Sequence, residues 1–162
     1  MDNENSNIPA LTPSNPTDNT IPDFLAGDLS TLDTSMPLLK EGIYDLLVAK
    51  VEVKTNTNGI SNLRLAFRTT QDGFSTTEEP LHKGFPINHS ICLTQTGGLT
   101  SDMIRRSCAS LVQAAGKTNF LPVSQFEGEI IRCKVRIQPE RVDKKTGLEY
   151  PASNSISSFV KA

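Results

Sequence analysis

One stretch near the end of the chain, residues 128–138, alternates between apolar and polar side chains and constrains the fold more than any other. One side of an extended backbone would carry Ile131, Cys133, Val135 and Ile137, and the other would carry Ile130, Arg132, Lys134 and Arg136. Successive side chains of a strand point to opposite faces, so the pattern predicts a strand with one buried and one cationic face. A cationic sheet face is a candidate surface for a polyanion.

The charges of the chain are divided by position. At 162 residues the chain is about one domain long, and its net charge is −2. Residues 1–39 hold six acidic residues and no Lys or Arg, which gives −6, whereas residues 40–162 hold 16 basic and 12 acidic residues, which gives +4. An acidic arm on a basic body suggests a polyanionic partner, with the arm as an intramolecular competitor or as a docking tail.

Residues 1–38 are predicted to form a disordered arm, separate from a folded domain at residues 39–162. The arm holds five of the ten prolines among many Asn, Ser, Thr and Asp residues. Such a segment buries too little apolar area to offset its ordering entropy. One apolar island, residues 22–32, contains Phe24, Leu25, Leu29 and Leu32. It is either a weakly collapsed linker or a short amphipathic turn that docks on a partner or on the protein's own body.

Several functional classes have no support in the composition. No run approaches the roughly 18 apolar residues of a membrane span, and residues 1–5 lack the features of a signal peptide, so we expect a soluble, cytoplasmic protein. The cysteines, Cys92, Cys108 and Cys133, are odd in number and widely spaced, which predicts reduced core thiols. His82 and His89 have no partner at metal-ligand spacing, and no phosphate-loop motif occurs. We therefore predict no enzyme activity, no cofactor and no metal.

Apolar periodicity predicts five strands, at residues 42–54, 61–70, 86–94, 128–138 and 152–161. The first is apolar on both faces in its first half and polar outside in its second, as in a strand that bends around a barrel. Thr100 is placed to cap a helix that runs to about residue 115, with Gly116 as its stop. This element order is that of the OB-fold, a five-stranded Greek-key barrel that binds oligonucleotides or oligosaccharides. The predicted class is therefore mainly β, an OB-fold barrel with one α-helix between strands three and four.

Four stretches carry a more specific resemblance. They are residues 42–54 (GIYDLLVAKVEVK), 58–68 (NGISNLRLAFR), 126–135 (FEGEIIRCKV) and 145–159 (KTGLEYPASNSISSF). Together, over residues 40–162, they resemble bacteriophage OB-fold single-stranded-DNA-binding proteins. The resemblance implies a viral protein of DNA replication or recombination that coats single strands without sequence preference.

The chain departs from that family in the position of its acidic segment. Many such proteins end in an acidic tail, whereas this chain ends Phe-Val-Lys-Ala and is acidic at its start. Phage or host replication proteins would therefore be reached through the N-terminal arm.

The predicted nucleic-acid contacts follow from where an OB barrel binds its ligand. The binding groove crosses strands two and three, between the loop joining strands one and two and the loop joining strands four and five. Cations there displace counterions from phosphates, and aromatic rings stack on bases. The predicted contacts are Lys54 at the first loop, Arg64 and Arg68 on the second strand, Lys134 and Arg136 on the fourth, and Arg141, Lys144, Lys145 and Tyr150 in the last loop.

Aromatic residues are sparse, and Trp is absent. Phe67 is predicted to point inward with Leu63 and Leu65, and Phe120 and Phe126 to anchor the connection from the helix to the fourth strand. The stacking candidates that remain are Tyr44, Phe74, Phe85 and Tyr150. We therefore expect a mainly electrostatic, salt-sensitive binder of single-stranded DNA, with homo-oligomerisation left open. The alternative is a protein-interaction or virion-assembly module that docks through the island at residues 22–32.

Overall fold

The computed structural model describes residues 21–32 and 35–162. The chain divides into two units, residues 1–35 and 36–162. In the first unit, the described residues contain one 3-10 turn, Asp23–Leu25, and all of them are exposed. Of the predicted arm, residues 1–20, 33 and 34 lie outside the described residues, and residues 36–38 belong to the second unit. The role of the arm as a competitor or docking tail stays a prediction.

The second unit is mainly β. Its elements are β1 (Gly42–Thr55), β2 (Ser61–Thr69), β3 (Gly73–Phe74), β4 (Pro80–Leu81), β5 (Pro86–Cys92), α1 (Ser101–Ala114), β6 (Ile130–Gln138), β7 (Arg141–Val142), β8 (Glu149–Tyr150) and β9 (Ser153–Phe159). The five long strands form one antiparallel sheet in the order β5-β2-β1-β6-β9, and the short strands form the hairpins β3–β4 and β7–β8. The five predicted strands and the helix between the third and fourth are therefore confirmed. Among the described residues, no hydrogen-bonded pairing joins the edge strands β5 and β9, so the sheet is not a closed barrel.

The long strand β1 belongs to both halves of the sheet. Its first part pairs with β6, from Gly42 opposite Val135 to Leu47 opposite Ile130, and its later part pairs with β2 as far as Thr55. A β-bulge interrupts the β2 register between Val48 and Lys50. Such a bulge inserts one extra residue and bends the strand.

The bulge also changes which side chains of β1 face the core. Before it, Leu46 and Val48 are fully buried, whereas Ile43 is 61% exposed. After it, Val51 packs against the core. Unbroken alternation would place Ile43 on the same face as Val51, and the bulge separates them because one extra residue reverses the alternation.

The core lies between the inward face of the sheet and α1. β2 buries Leu63, Leu65 and Phe67 as predicted, and β6 buries Ile131, Cys133 and Val135. The helix contributes Cys108, Leu111, Val112 and Ala114. The Thr100 hydroxyl accepts a hydrogen bond from the Met103 N–H at 3.2 Å, and Gly116 adopts a φ of 68°, so the predicted helix ends are confirmed.

The connection from α1 to β6 is held by aromatic packing. Phe126 is fully buried at the end of a 3-10 turn, Val123–Phe126. Its ring lies 6.2 Å, centroid to centroid, from that of Phe120. This confirms the prediction that the two rings anchor the connection.

The three cysteines are free thiols. Cys108 and Cys133 are buried as predicted, whereas Cys92 is half-buried. Burial raises the pKa of Cys133 to about 12, with a further contribution from the charge of Asp45. A thiol held protonated in this way is chemically inert.

The buried ring of Phe67 provides a test of this core. Replacing Phe67, which is 0% exposed, with Ala should lower the free energy of unfolding by about 3–5 kcal/mol, because it removes a large apolar side chain and leaves a cavity. The matched control is Phe74→Ala on β3, where the ring is 55% exposed and the destabilisation should stay below about 1 kcal/mol. Urea denaturation measures both, and equal destabilisation would contradict the assigned core.

Candidate nucleic-acid interface

One face of the sheet collects most of the predicted cations. The residues of β1 that point away from the core are Ile43, Asp45 and Leu47 before the bulge, and Lys50, Glu52 and Lys54 after it. Directly paired residues of antiparallel strands share a face. The register pairs Lys134 with Ile43, Arg132 with Asp45, Arg68 with Leu47 and Arg64 with Glu52. We call this the outer face.

The cations of the outer face follow one another along β1. Beginning at the β6 end, they are Arg136, Lys134, Arg132, Arg68, Lys50, Arg64 and Lys54, and all seven are exposed. The sequence-predicted residues Lys54, Arg64, Arg68, Lys134 and Arg136 thus share one surface. The sheet joins them across three strands, β6, β1 and β2.

Two carboxylates interrupt this row. Asp45 accepts hydrogen bonds from Arg132, with Nε to Oδ1 at 2.9 Å and Nη2 to Oδ2 at 3.2 Å. The bonds from Arg132 hold the pKa of Asp45 below its usual value, so the pair is ionised at neutral pH. Glu52 lies 3.3 Å from Lys50 and 3.9 Å from Lys54.

The remaining cations of the outer face are uncompensated. Within the described part of the chain, no carboxylate lies within ion-pair distance of Arg64, Arg68, Lys134 or Arg136. These four side chains are therefore available for an external anion.

A groove crosses β1, β2 and β5 on the outer face. It encloses about 430 Å³. In the register, Ala66 lies between Lys50 and Asn88, and Arg64 lies between Glu52 and Ser90. The small side chain of Ala66 leaves room at the centre of a surface that carries the cations Lys50 and Arg64, the carboxylate of Glu52 and the polar side chains of Asn88 and Ser90. Such a groove can bind phosphates through its cations and base edges through its amide and hydroxyl groups.

The hairpin β7–β8 lies beyond the β6 end of the outer face, because β6 continues past the start of β1. Arg141 and Tyr150 are paired across the hairpin, and the guanidinium carbon lies 4.5 Å from the ring centroid. Tyr150 is 38% exposed. Lys144 and Lys145 are exposed at the turn, where the Asp143 carboxylate accepts a hydrogen bond from the Lys145 N–H at 2.8 Å. The four predicted residues of the last loop are therefore together, but on the hairpin and not in the groove.

The structure separates the four stacking candidates. Tyr44 and Phe85 both pack against the core. The Tyr44 hydroxyl also donates a hydrogen bond to the Lys40 carbonyl at 2.7 Å. Phe74 and Tyr150 are exposed. Of these two, Tyr150 has basic residues beside it, which makes it the better placed ring for a base.

Of the residues that line the groove, the sequence predicted only Arg64 as a contact, and the missed residues include three that can bind DNA through charge or hydrogen bonds. These three are Lys50, Asn88 and Ser90. The sequence pattern could have indicated them, because Lys50 points outward in the polar half of the first strand, and Asn88 and Ser90 point outward on the third strand.

Comparisons with known proteins do not assign the chain to a family. No protein-family model matches the sequence, and no curated protein gives a significant match. The structure adds two negative findings for residues 21–32 and 35–162. No group of three or more His, Cys, Asp or Glu residues is arranged to hold a metal ion, and no helix is long and apolar enough to cross a membrane.

The two edge strands approach each other beside the groove. The ring of His89 on β5 meets that of Phe159 on β9 edge to face, with centroids 5.4 Å apart, and Phe67 lies 6.3 Å from Phe159. A second cavity of about 350 Å³ lies between β5, β9 and α1. Burial lowers the pKa of His89 from its ordinary value of 6.5, because the charged imidazolium is poorly solvated there.

The burial of His89 predicts a pH dependence of stability. Because the folded protein disfavours the imidazolium, the unfolded chain takes up the proton first as the pH falls below 6.5, and stability present at neutral pH is lost. His89→Phe, which keeps a ring against Phe159, should lose less stability between about pH 7.5 and about pH 5.5 than the wild type. Urea denaturation across this range measures the difference. If the stability of the two proteins changed equally with pH, burial of His89 would not be the cause of the pH dependence.

Proposed function

We propose that the protein is a non-enzymatic single-stranded-DNA-binding protein that holds the strand along its outer face. The observation that carries the proposal is the row of seven exposed cations on one sheet face, four of which have no carboxylate partner within the described residues. Cations that neutralise phosphates release counterions, and this supplies most of the free energy of sequence-independent binding. Contacts to phosphate carry no base information, which accounts for the lack of sequence preference proposed here.

We further propose that the sheet is that of an OB-fold. Numbering the five long strands in chain order, their order in the sheet is 3-2-1-4-5, with the helix between the third and fourth. The edge strands come close enough for His89 to contact Phe159. OB-folds bind oligonucleotides on strands two and three, flanked by the loops between strands one and two and between four and five. The groove lies on the second and third strands of this order, and the β7–β8 hairpin lies in the loop between the fourth and fifth, which supports the proposal.

The hairpin supplies the stacking part of the proposed site. A base can stack on the ring of Tyr150 or on the guanidinium plane of Arg141. Lys144 and Lys145 at the turn add positive charge beside them. Binding would then begin electrostatically on the outer face and be completed by stacking at the hairpin.

A role in phage DNA replication or recombination, in the host cytoplasm, is proposed on the sequence resemblance. The second candidate function is a protein-interaction or virion-assembly module. Phe24 is 80% exposed and Leu32 is 65% exposed in the described part of the arm, and these exposed apolar side chains favour a protein partner. Labelled oligo-dT distinguishes the two: absence of binding at about 50 mM salt would rule out the first proposal, because an electrostatic binder is tightest at low salt.

The two uncompensated arginines of β2 can be tested by the salt dependence of binding. Replacing both Arg64 and Arg68 with Ala should weaken binding and reduce the slope of log K against log salt by about 0.7 for each phosphate that is no longer neutralised. The matched control is Arg106→Ala on α1, an exposed arginine outside the groove, which should leave the slope unchanged. Fluorescence anisotropy with oligo-dT measures both. An unchanged slope in the double variant would place the strand elsewhere.

The contribution of the Tyr150 ring to DNA binding can be separated from that of the basic side chains beside it. Tyr150→Ala should cost about 1–3 kcal/mol of binding free energy if a base stacks on the ring. Tyr150→Phe keeps the ring and should bind within about 0.5 kcal/mol of the wild type, because stacking needs no hydroxyl. The same anisotropy titration applies. Equal affinity of the Ala and Phe variants would show that the ring takes no part.

A further inference from the structure

A second groove runs along α1, on a different surface from the outer face. It encloses about 580 Å³, and its apolar wall includes Ile104, Ala109, Val112 and Phe120. We call it the helix groove. None of the seven cations of the outer face lines it. Binding there would therefore leave the proposed DNA surface free.

The charged residues of the helix groove are all basic. Arg105 and Lys117 lie at its rim, and no Asp or Glu of the described residues lines it. Arg105 is exposed and has no carboxylate partner within the described residues, whereas Lys117 pairs with Glu129 at 3.1 Å. An apolar trough with a cationic rim fits a segment that is both apolar and acidic.

The first unit contains a segment of that chemistry, residues 21–32. Phe24 is 80% exposed, and Leu25, Leu29 and Leu32 are also exposed. Asp28 accepts hydrogen bonds from the Ser30 N–H at 2.9 Å and from its hydroxyl at 2.6 Å, and these lower the pKa of Asp28, so it is charged at neutral pH. Apolar side chains exposed together in this way mark an interaction segment.

We propose that the segment 21–32 of one copy docks in the helix groove of a second copy. Phe24 is the anchor in the apolar trough, and Asp23 and Asp28 face the Arg105 rim. Segment and groove are different surfaces, so the contact is heterologous and links copies head to tail. The proposal does not rest on DNA binding, because neither surface belongs to the outer face.

Two variants, each lacking one half of the contact, test the proposal on the full chain. Phe24→Ala with Leu25→Ala removes the anchor, and Ala109→Glu places a negative charge in the groove. Sedimentation velocity should show self-association of the wild type, weakened roughly tenfold or more in each variant alone, as expected when an aromatic anchor is removed. An equimolar mixture of the two variants should form a heterodimer and nothing larger, since it combines one intact segment with one intact groove.

A second groove variant keeps the test decisive if Ala109→Glu fails to fold. Arg105→Glu changes an exposed side chain, and it should weaken self-association in the same way. Circular dichroism and thermal unfolding check that every variant is folded. A monomeric wild type at all concentrations, or a mixture that stays monomeric, would overturn the proposal. A monomeric protein is the result expected if the segment docks within its own copy or on a different protein.

Discussion

The outer face depends on one irregularity, the β-bulge between Val48 and Lys50 of β1. Leu46 and Val48 are buried before it, and strict alternation would turn Lys50 and Glu52 inward after it. Burying those charges would cost far more than a bulge does. The extra residue turns Val51 inward and Lys50 outward instead. The carboxylate of Glu127 accepts the Val51 N–H at 2.9 Å, which ties the bulged strand to the segment that precedes β6.

The sequence predicts faces well where alternation is unbroken. β2 and β6 follow period two throughout, so Leu63, Phe67 and Ile131 were predicted to lie in the core and Arg64 on the surface, as the structure has them. β1 is apolar on both sides in its first half, and nothing in its sequence locates the bulge. The helix was predictable because Thr100 and Gly116 mark its ends and its apolar spacing is regular.

Other features depend on contacts between distant segments and could not be predicted. The sequence showed a turn at residues 145–147, yet the pairing of Arg141 with Tyr150 follows from the register of β7 and β8. The approach of His89 to Phe159 joins residues 70 positions apart, on strands that share no ladder. The candidate site was therefore predictable as a set of outward cations. Its division between a groove and a hairpin was not.

The carboxylates on the outer face do not argue against a polyanion. Exposed ion pairs such as Asp45–Arg132 contribute little to stability because water screens both charges, so a phosphate can replace the carboxylate at little cost. Glu52 likewise forms exposed ion pairs with Lys50, which lines the groove, and with Lys54. Arg64 and Arg68, which have no such partner in the described chain, supply the uncompensated attraction.

The proposed head-to-tail contact between copies would also suit a protein that binds along a single strand of DNA. The strand offers a row of equivalent phosphates, so each added copy can bind its own phosphates and also touch its neighbour. Binding beside an occupied position is then partly intramolecular, and the effective concentration of the next site rises. This requires the DNA and the neighbouring copy to be bound by different surfaces. The helix groove and the groove on the outer face meet that condition, because their linings share no residue.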